Sequence, residues 1–338
     1  MNPLISIIIP VYNGSNFLSN CFQTLENQTI GMQRLECIFV NDASTDNGAS
    51  WEMLRNFEAK YPNNVLIINS NENHRVGGSR NIALKYAGGT YIAFMDQDDT
   101  LHPTMFERMT SFLEKYQCDV VMCRFWKVPD TTVRTPKRIG KDYILDITTD
   151  KEREKLLAAN QLGYVVWDKL YRRDLIFEND ISFPDGKFFE DTYFCGLISG
   201  YVRRLGVINE TLYFYRQYAT STNETMNLQQ RNDLLEVNNL KWDEFTKRGI
   251  YSHCKKAVEY DYVQNYFLGG IKNFSHTYKK IPYSLFIELS NGIRKRISPT
   301  DYRENEYLQN GLSDWEKCLL ELTWCNVTEA QWESVTLI

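Results

Sequence analysis

The sequence lacks the patterns that mark several classes of protein. Its 8 cysteines are scattered, with no C-x-x-C pair and no histidine at zinc-ligand spacing, so we interpret them as reduced thiols rather than disulfides. The net charge is -5 and no long basic run is present, which disfavours nucleic acid as a partner. The apolar runs are far shorter than the roughly 20 residues of a membrane-spanning helix. The first residues also lack the basic and long apolar regions of an export signal, so we expect a cytoplasmic protein.

The composition that is present is ordinary for a folded globular protein. Apolar residues make up 43% and charged residues 24% of the 338 residues, enough for a main domain with a smaller appendage. The 21 tyrosines and 18 phenylalanines could supply stacking surfaces for sugars and bases, or they could simply fill the core. Composition alone leaves both alternatives open.

Short β-rich runs alternate with helical patterns through the first part of the chain. Because these strands are almost continuously apolar, the pattern predicts an α/β fold with a mixed, mostly parallel sheet and helices on both faces. From about Asn227 onward, amphipathic helical segments replace this rhythm. We therefore predict an α/β domain over residues 1–226 and a helical region over residues 227–338. The predicted strands are Leu4–Val11, Leu35–Val40, Val65–Asn69, Tyr91–Met95 and Asp119–Phe125.

Polar motifs follow these strands at their carboxyl ends, where ligands bind in sheets of this kind. Three aspartates, Asp96, Asp98 and Asp99, follow the fourth predicted strand. An extended backbone would direct Asp96 and Asp98 to the same side. Two such carboxylates favour a divalent cation, Mg²⁺ or Mn²⁺, which prefers oxygen ligands and is commonly shared with substrate phosphates. The alternative is an acidic helix start near Pro103, with Asp99 or Thr100 as its cap.

Five short motifs occur in the order Pro10–Asn13, Asn41–Asp46, Gly77–Asn81, Asp96–Asp99 and Phe188–Asp191. In order and spacing this set resembles the motif set of glycosyltransferase family 2. The resemblance covers roughly residues 3–222. It implies the GT-A fold, which is the Rossmann-like fold of nucleotide-diphospho-sugar transferases, and a role in the biosynthesis of surface polysaccharide such as capsule.

The resemblance implies a nucleotide site at the ends of the first two strands. Pro10, Tyr12 and Asn13 match family positions that line the base. Asp42 matches the carboxylate that accepts a hydrogen bond from uracil, so a UDP-sugar donor is implied. Asp46, by contrast, we interpret as a helix N-cap.

Further family positions surround the diphosphate and the metal. Arg80 matches a residue that faces the diphosphate, and a guanidinium can hold phosphate oxygens at two points; the alternative is a surface arginine. Asp98 matches the strongest metal ligand, and Asp96 matches an acid that reaches the ribose or the metal. Gln97 stands between them, where relatives often have a small residue, and we include it in the donor site.

The third metal ligand is not evident. Some relatives have a metal-binding histidine in the loop after their closing strand, but this chain has Gln217 and Tyr218 there. Water or Ser221 is therefore expected in its place. His102 lies near the acids, and we interpret it as capping or solvating the start of a helix.

Glu190 and Asp191 match the pair of acids that supplies the general base in the family, with Asp191 at the position of the base itself. Their aromatic neighbours would raise a carboxyl pKa toward the range that suits proton abstraction. The alternative is an acidic first turn that satisfies a helix dipole. Trp167 and Lys169 match a family segment before the base. They could contact a sugar ring and a phosphate, or they could pack in the core.

Together these residues predict a metal-dependent, inverting glycosyltransferase of hexosyl or N-acetylhexosaminyl type. Two other interpretations are a nucleotide-sugar-binding member of a polysaccharide assembly complex without turnover, and a sugar nucleotidyltransferase. The latter normally has a basic, Gly-rich loop after the first strand, whereas residues 13–16 here contain no lysine or arginine. The resemblance implies a glycan or lipid-linked saccharide as acceptor and peripheral association with the inner face of a membrane. It implies no particular oligomer.

Overall fold

The computed structural model describes residues 3–129, 133–217, 227–275, 278 and 280–334. The chain divides into two compact units. The first combines Met1–Thr148 with Leu162–Thr225, and the second combines Thr149–Gln161 with Met226–Ile338. A single boundary was predicted after residue 226. The division differs from that prediction in one place, because residues 149–161 group with the helical unit.

One mixed sheet forms the centre of the first unit. Its described strands are β1 Ile5–Val11, β2 Leu35–Asp42, β3 Val65–Ser70, β4 Tyr91–Phe94, β5 Thr100–Leu101, β6 Val120–Val128, β7 Tyr143–Asp146, β8 Lys169–Arg172 and β9 Arg204–Arg216. They lie in the order β3-β2-β1-β4-β8-β6-β9-β5, and β7 pairs with β9. The first four strands are parallel, β6 is parallel to β9, and β8 runs antiparallel between β4 and β6. The predicted mixed, mostly parallel sheet is confirmed.

Helices pack on this sheet, and the spacing of their apolar residues explains how. The described helices of the first unit are α1 Leu18–Glu26, α2 Ala49–Lys60, α3 Arg75–Leu84, α4 Met105–Tyr116, α6 Arg173–Phe177 and α7 Glu190–Tyr201. In α4, Met105, Met109 and Leu113 recur every four residues and form one buried face. All seven residues of β1 are buried, as expected of a central strand covered on both faces.

The described part of the second unit is helical, as predicted for the C-terminal region. Its helices are α5 Asp150–Ala158, α8 Leu228–Lys247, α9 Ile250–His253, α10 Lys255–Tyr262, α11 Gly269–Ser275, α12 Tyr283–Arg296, α13 Pro299–Glu304, α14 Glu306–Gly311, α15 Asp314–Glu321 and α16 Glu329–Ser334. Thr149 and Asn227 start α5 and α8 with capping boxes, in which side chain and backbone satisfy each other's hydrogen bonds. Within the described ranges, no helix combines the length and apolarity needed to cross a membrane.

Candidate active site

The loops that follow β1 and β2 are tied together by Asn13. Its Oδ1 accepts the backbone N–H of Thr45 at 2.7 Å, and its own backbone N–H donates to Ser44 Oγ at 3.0 Å. Asn13 and Ala43 both have positive φ, 50° and 56°. Left-handed backbone at non-glycine residues is costly and is typical of functional loops. These contacts form a fixed rim at the carboxyl end of the parallel strands.

Tyr12 and Gln97 join this rim to the acidic segment. The Tyr12 N–H donates to Gln97 Oε1 at 3.1 Å, and Gln97 Nε2 donates to the Tyr12 carbonyl at 3.0 Å. A Cβ on Gly14 would lie 2.3 Å from Gln97 Oε1, so only glycine leaves room for this contact. The Gln97 amide is thus used within the protein, while the Tyr12 ring is 45% exposed. Pro10 is buried in β1 beside Val40.

Asp42 ends β2 and holds the start of α3. Its Oδ1 accepts the His74 N–H at 2.7 Å, and its carbonyl accepts from Asn73 Nδ2 at 3.2 Å. Asp42 is 3% exposed, so the carboxylate is fixed in direction by the helix that it anchors.

Asp46 does not occupy the N-cap position that was predicted for it. The N-cap of α2 is Gly48. Asp46 Oδ2 nevertheless accepts the N–H of Ser50 at 3.1 Å, which satisfies a free donor of the first turn. Ser50 Oγ in turn accepts the Gly14 N–H at 2.7 Å, so α2 also supports the β1 loop.

The residues after β4 form a turn and not the extended strand on which the same-side argument for Asp96 and Asp98 depended. The strand ends at Phe94, and the Asp99 N–H bonds back to the Asp96 carbonyl at 3.3 Å. The prediction that an extended backbone directs Asp96 and Asp98 to the same side is therefore wrong. A turn nevertheless keeps them in one short segment, whose Asp96 side chain is 30% exposed.

Asp99 has a structural part in this turn. It is 1% exposed, and its carboxylate accepts from the Tyr213 hydroxyl at 2.6 Å and from the Arg216 N–H at 2.7 Å. Burial, together with the charges of Asp96 and Asp98, raises the pKa of Asp99 well above its ordinary value. The proposed capping role of Asp99 or Thr100 is wrong, because α4 starts with Thr104 as its N-cap.

His102 does bond at that helix start, in keeping with its interpretation. Its Nδ1 accepts the Thr104 N–H at 3.3 Å and lies 3.0 Å from Thr104 Oγ1. Burial lowers the pKa of His102.

Arg80 lies at the centre of the site, but it does not lie open to a ligand. Its guanidinium donates from Nη2 to Asp96 Oδ1 at 2.9 Å and from Nη1 to Glu190 Oε1 at 2.8 Å. The side chain is 3% exposed, with the rings of Phe183 and Phe94 at 5.3 and 5.8 Å. Burial lowers the pKa of Arg80, but the neighbouring carboxylates outweigh that effect and raise it. The surface-arginine alternative is wrong.

Glu190 and Asp191 open α7, behind a strained residue. Phe189, the N-cap, has a φ of 62°. Asp191 Oδ1 accepts the Thr192 N–H at 2.8 Å. Burial, then the charge of Glu190, raises the pKa of Asp191 to about 7, although Arg80 opposes the shift. Burial also raises the pKa of Glu190 against the opposing effect of Arg80. Both acids do stand in the first turn of a helix, and that position does not exclude a chemical role.

Trp167 and Lys169 pack inside the protein, which is the core alternative left open by the sequence. Trp167 is 5% exposed and stacks on Tyr213 at 4.3 Å, so its ring is covered. Lys169 is fully buried, and its Nζ donates to Asp168 Oδ1 and to the Val165 carbonyl, each at 2.6 Å. Neither side chain is placed to contact a donor in this structure.

Tyr213 is a member of the site that the sequence did not single out. Its hydroxyl donates to Asp99 and accepts the Asp96 N–H at 3.3 Å, so this one hydroxyl supports the acidic turn at two points. The signal was weak, because Tyr213 lies only a few residues before Gln217 and Tyr218, the positions that follow the closing strand in the resemblance. Of the loop beyond it, Tyr218 and Ser221 lie outside the described residues.

The carboxylates of the acidic turn suit a divalent cation that a substrate also binds. No cluster of three or more His, Cys, Asp or Glu side chains able to hold a metal occurs in the described part of the chain. Mg²⁺ and Mn²⁺ sites commonly use one or two carboxylates with phosphate oxygens and water completing the shell. The carboxylates of Asp96 and Asp98, in one turn, fit such a site.

Comparison with known families identifies the family of the chain. The sequence model of Glycosyl transferase family 2 matches residues 6–178, just over half of the chain. The chain belongs to this family. EpsJ of Bacillus subtilis (strain 168), an uncharacterized glycosyltransferase, is 34% identical over 66% of this chain and 64% of its own length. The chain thus spans less than two thirds of that relative.

Two solved structures share the fold. Staphylococcus aureus TarS 1-349 in complex with UDP-GlcNAc has a TM-score of 0.71 at 19% identity, covering 94% of this chain and 91% of that one. The mannosyltransferase PcManGT from Pyrobaculum calidifontis, in complex with GDP-Man and Mn²⁺, has a TM-score of 0.52 at 13% identity, covering 97% and 89%. The predicted GT-A fold is confirmed.

Proposed function

We propose that this family 2 glycosyltransferase moves a sugar from UDP to an acceptor hydroxyl, with inversion of the anomeric carbon. The observation that carries the proposal is the carboxyl of Asp191. Its pKa is raised to about 7, and it lies beside Glu190, which Arg80 connects to the acidic turn at Asp96. A base near neutrality next to a cation-binding turn is the arrangement that direct displacement at a sugar diphosphate needs.

Asp42 would select the uracil ring of the donor. Its Oδ1 is held by His74, and we propose that Oδ2 accepts the ring N–H of uracil. The exposed ring of Tyr12 would stack on the base, with Pro10 and Asn13 fixing the loop that carries it. The TarS complex with UDP-GlcNAc supports a uridine donor in this fold.

Asp98 and Asp96 would hold Mn²⁺ or Mg²⁺ together with the diphosphate, and the cation supplies charge neutralisation of the leaving group. Mn²⁺ in the PcManGT complex supports this assignment. Gln97, whose amide bonds to the Tyr12 backbone, would keep the acidic turn beside the base-binding loop.

Asp191 would take the proton of the acceptor hydroxyl as that oxygen attacks the face opposite the diphosphate. One displacement forms the new C–O bond and breaks the bond to the leaving phosphate, so the configuration inverts. The acceptor we propose is a glycan or lipid-linked saccharide of a surface polysaccharide. TarS, a poly(ribitol-phosphate) beta-N-acetylglucosaminyltransferase of S. aureus, is 26% identical over 62% of this chain and 35% of its own length, and its name supports a polymer as the acceptor. We further propose that the enzyme meets it at the inner face of the membrane.

The test is a panel of UDP-sugars incubated with Mn²⁺, followed by release of UDP. Slow hydrolysis of at least one sugar, abolished by a chelator, is the expected result. A protein that binds UDP but hydrolyses none would be the non-turnover member of an assembly complex. Formation of a nucleotide sugar from UTP and a sugar phosphate would instead identify a nucleotidyltransferase.

The Asp98→Ala variant tests the cation site through the binding of UDP. We expect it to lose the Mn²⁺-dependent part of UDP binding in calorimetry, because Asp98 would be a ligand of the cation. Asp314→Ala, at an exposed aspartate of the helical unit, is the control and should bind as the parent does. Unchanged UDP affinity in Asp98→Ala would contradict the metal assignment.

A further inference from the structure

Arg80 joins two parts of the site that are far apart in the chain. Asp96 belongs to the acidic turn after β4, and Glu190 belongs to the first turn of α7. One guanidinium bonds to both, at 2.9 Å and 2.8 Å. A planar guanidinium presents separate N–H groups in a fixed fork, so the two carboxylates are set at a defined separation.

The surroundings of Arg80 leave it little capacity to bind a phosphate. Nη1 and Nη2 are each bonded to a carboxylate, and Nε is buried without a partner in the described structure. Aromatic rings of Phe183 and Phe94 enclose the group, and only 3% of the side chain is exposed. A diphosphate ligand would need an exposed fork, which this residue lacks.

The helix that carries Arg80 packs tightly on the helix that carries the base. A Cβ on Gly77 would lie 2.9 Å from Glu190 Cγ and 3.2 Å from the Pro184 carbonyl. The lack of a side chain at Gly77 therefore lets α3 approach the first turn of α7. Arg80, one turn further along α3, then reaches Glu190 on one side and Asp96 on the other.

We infer that Arg80 is a positioning residue that couples the donor-binding turn to the base-bearing turn of α7, with Glu190 as its anchor, and that it does not bind the diphosphate. The inference rests on the proposed function. Arg80 fixes the place of Asp96 relative to Asp191 through Glu190. Arg80 is the cation that the two carboxylates share, so removal of its charge would leave both of them without this counterion, and the place of each depends on Arg80.

The experiment compares Arg80→Lys with Arg138→Lys. Arg138 also bonds to two carboxylates, those of Asp142 at 2.8 Å and Glu210 at 2.9 Å, but it is 47% exposed and outside the site. Lysine keeps the charge and loses the fork. With UDP-GlcNAc or the best sugar of the panel as probe, Arg80→Lys should lower kcat for hydrolysis about 10–100-fold, since small displacements of reacting groups have effects of that size. The KM for the donor and the Kd for UDP with Mn²⁺ should stay within about threefold, because Asp98 would still hold the cation and the lysine of the variant keeps a positive charge beside Asp96. Arg138→Lys should match the parent.

A double-mutant cycle tests the coupling to Glu190. Glu190→Gln should lower kcat, and adding Arg80→Lys should lower it little further, because both changes weaken the same charge-assisted hydrogen bond. A tenfold rise in KM or Kd with kcat unchanged would overturn the inference and make Arg80 a phosphate ligand. Losses in kcat that multiply would overturn the role of Glu190 as anchor.

The two proposals fail in different ways. Absence of hydrolysis by the parent protein with every UDP-sugar counts against the proposed function. The contact between Arg80 and Glu190 is then tested by urea unfolding of the same variants, a measurement that requires no enzymatic turnover. Stability losses of Arg80→Lys and Glu190→Gln that add up fully would overturn the coupling, and losses smaller than their sum would support it.

Discussion

Two adjacent carboxyl groups on α7 are held in different environments. Glu190 bonds to the guanidinium of Arg80, whereas Asp191 accepts only a backbone N–H among its described bonds. Environments that separate two neighbouring acids commonly divide their roles. Asp191 is therefore suited to accept a proton, and Glu190 to hold the geometry.

The Asp191→Asn variant should keep its fold and bind UDP with Mn²⁺ as the parent does. Asparagine has a similar shape and can bond to Thr192, but it cannot take a full proton from an attacking hydroxyl. We expect kcat to fall by about 10²–10⁴ with little change in KM. UDP release and calorimetry measure the two effects. If Asp191→Asn retains more than a tenth of the rate, this carboxylate is not the base.

The pH dependence of the parent should report the same group. Asp191 acts as a base only when ionised, and its pKa is raised to about 7, so kcat should rise with pH and level off above that value. Stability has the opposite trend. The raised pKa favours the folded state with Asp191 protonated. Asp191 therefore adds to the free energy of unfolding below its ordinary pKa of 3.8, and this stabilisation is lost as the pH rises through about 7.

Urea unfolding of the parent and of Asp191→Asn between pH 4 and 7 checks that sign. The variant should lose less stability across the interval because it has no proton to release. A rate that is flat across the interval, or a variant that loses as much stability as the parent, would contradict the environment described for Asp191.

The packing of α3 on α7 depends on the absence of a side chain at Gly77. Gly77→Ala would place a Cβ against Glu190 Cγ and the Pro184 carbonyl, at 2.9 and 3.2 Å. Overpacking of this kind typically costs about 1–3 kcal/mol, which exceeds the gain of about 1 kcal/mol in helix propensity. We expect lower stability in chemical unfolding and a reduced kcat, because the first turn of α7 must move.

Gly88→Ala is the matched control for this prediction. A Cβ there would meet nothing closer than 3.6 Å, and the backbone is not left-handed. It should change stability and kcat little. Equal effects of the two substitutions, or a more stable Gly77→Ala, would show that α3 and α7 do not need their close contact.

At the level of elements, the long apolar strands could be predicted, whereas the short and charged ones could not. β1, β2 and β3 lie within two residues of their predicted ends because continuous apolar runs need both faces covered. β8 was missed since it has four residues and begins with Lys169, whose charge looks incompatible with a central strand. The buried ion pair with Asp168 makes it compatible, and no local pattern reveals such a pair.

Some candidate residues of the site could be named from the sequence, but the contacts between them could not. Asp42, Asp96 and Asp191 are recognisable because they follow strands or start a helix within family-like motifs. The contact from Arg80 to Glu190 joins residues 110 positions apart, and only the packing of α3 on α7 brings them together. The assignment of Arg80 to the diphosphate therefore rested on the family resemblance and on the general affinity of a guanidinium for phosphate.

At the scale of the whole molecule, α5 explains why a single boundary after residue 226 does not separate the two units. It interrupts the first unit in sequence and groups with the helices that follow residue 226. Its capping box and its many charged residues are typical of a surface helix. Leu156 and Leu157 are nevertheless buried, with 1% and 7% of their surface exposed. Helix α10 packs against it, and His253 lies 3.1 Å from Asp150.

We therefore predict that a chain cut after residue 226 loses solubility, because α5 is left without the helices that cover Leu156 and Leu157. Leu156→Gln with Leu157→Gln should restore solubility to that fragment, which should bind UDP with Mn²⁺ within about threefold of the parent, since every proposed nucleotide contact precedes residue 192. In the 338-residue chain the same two changes should have the opposite effect and cost about 2–5 kcal/mol for each buried leucine. Sedimentation, calorimetry and urea unfolding measure these outcomes. A fragment that is equally soluble with and without the changes would show that α5 does not depend on the second unit.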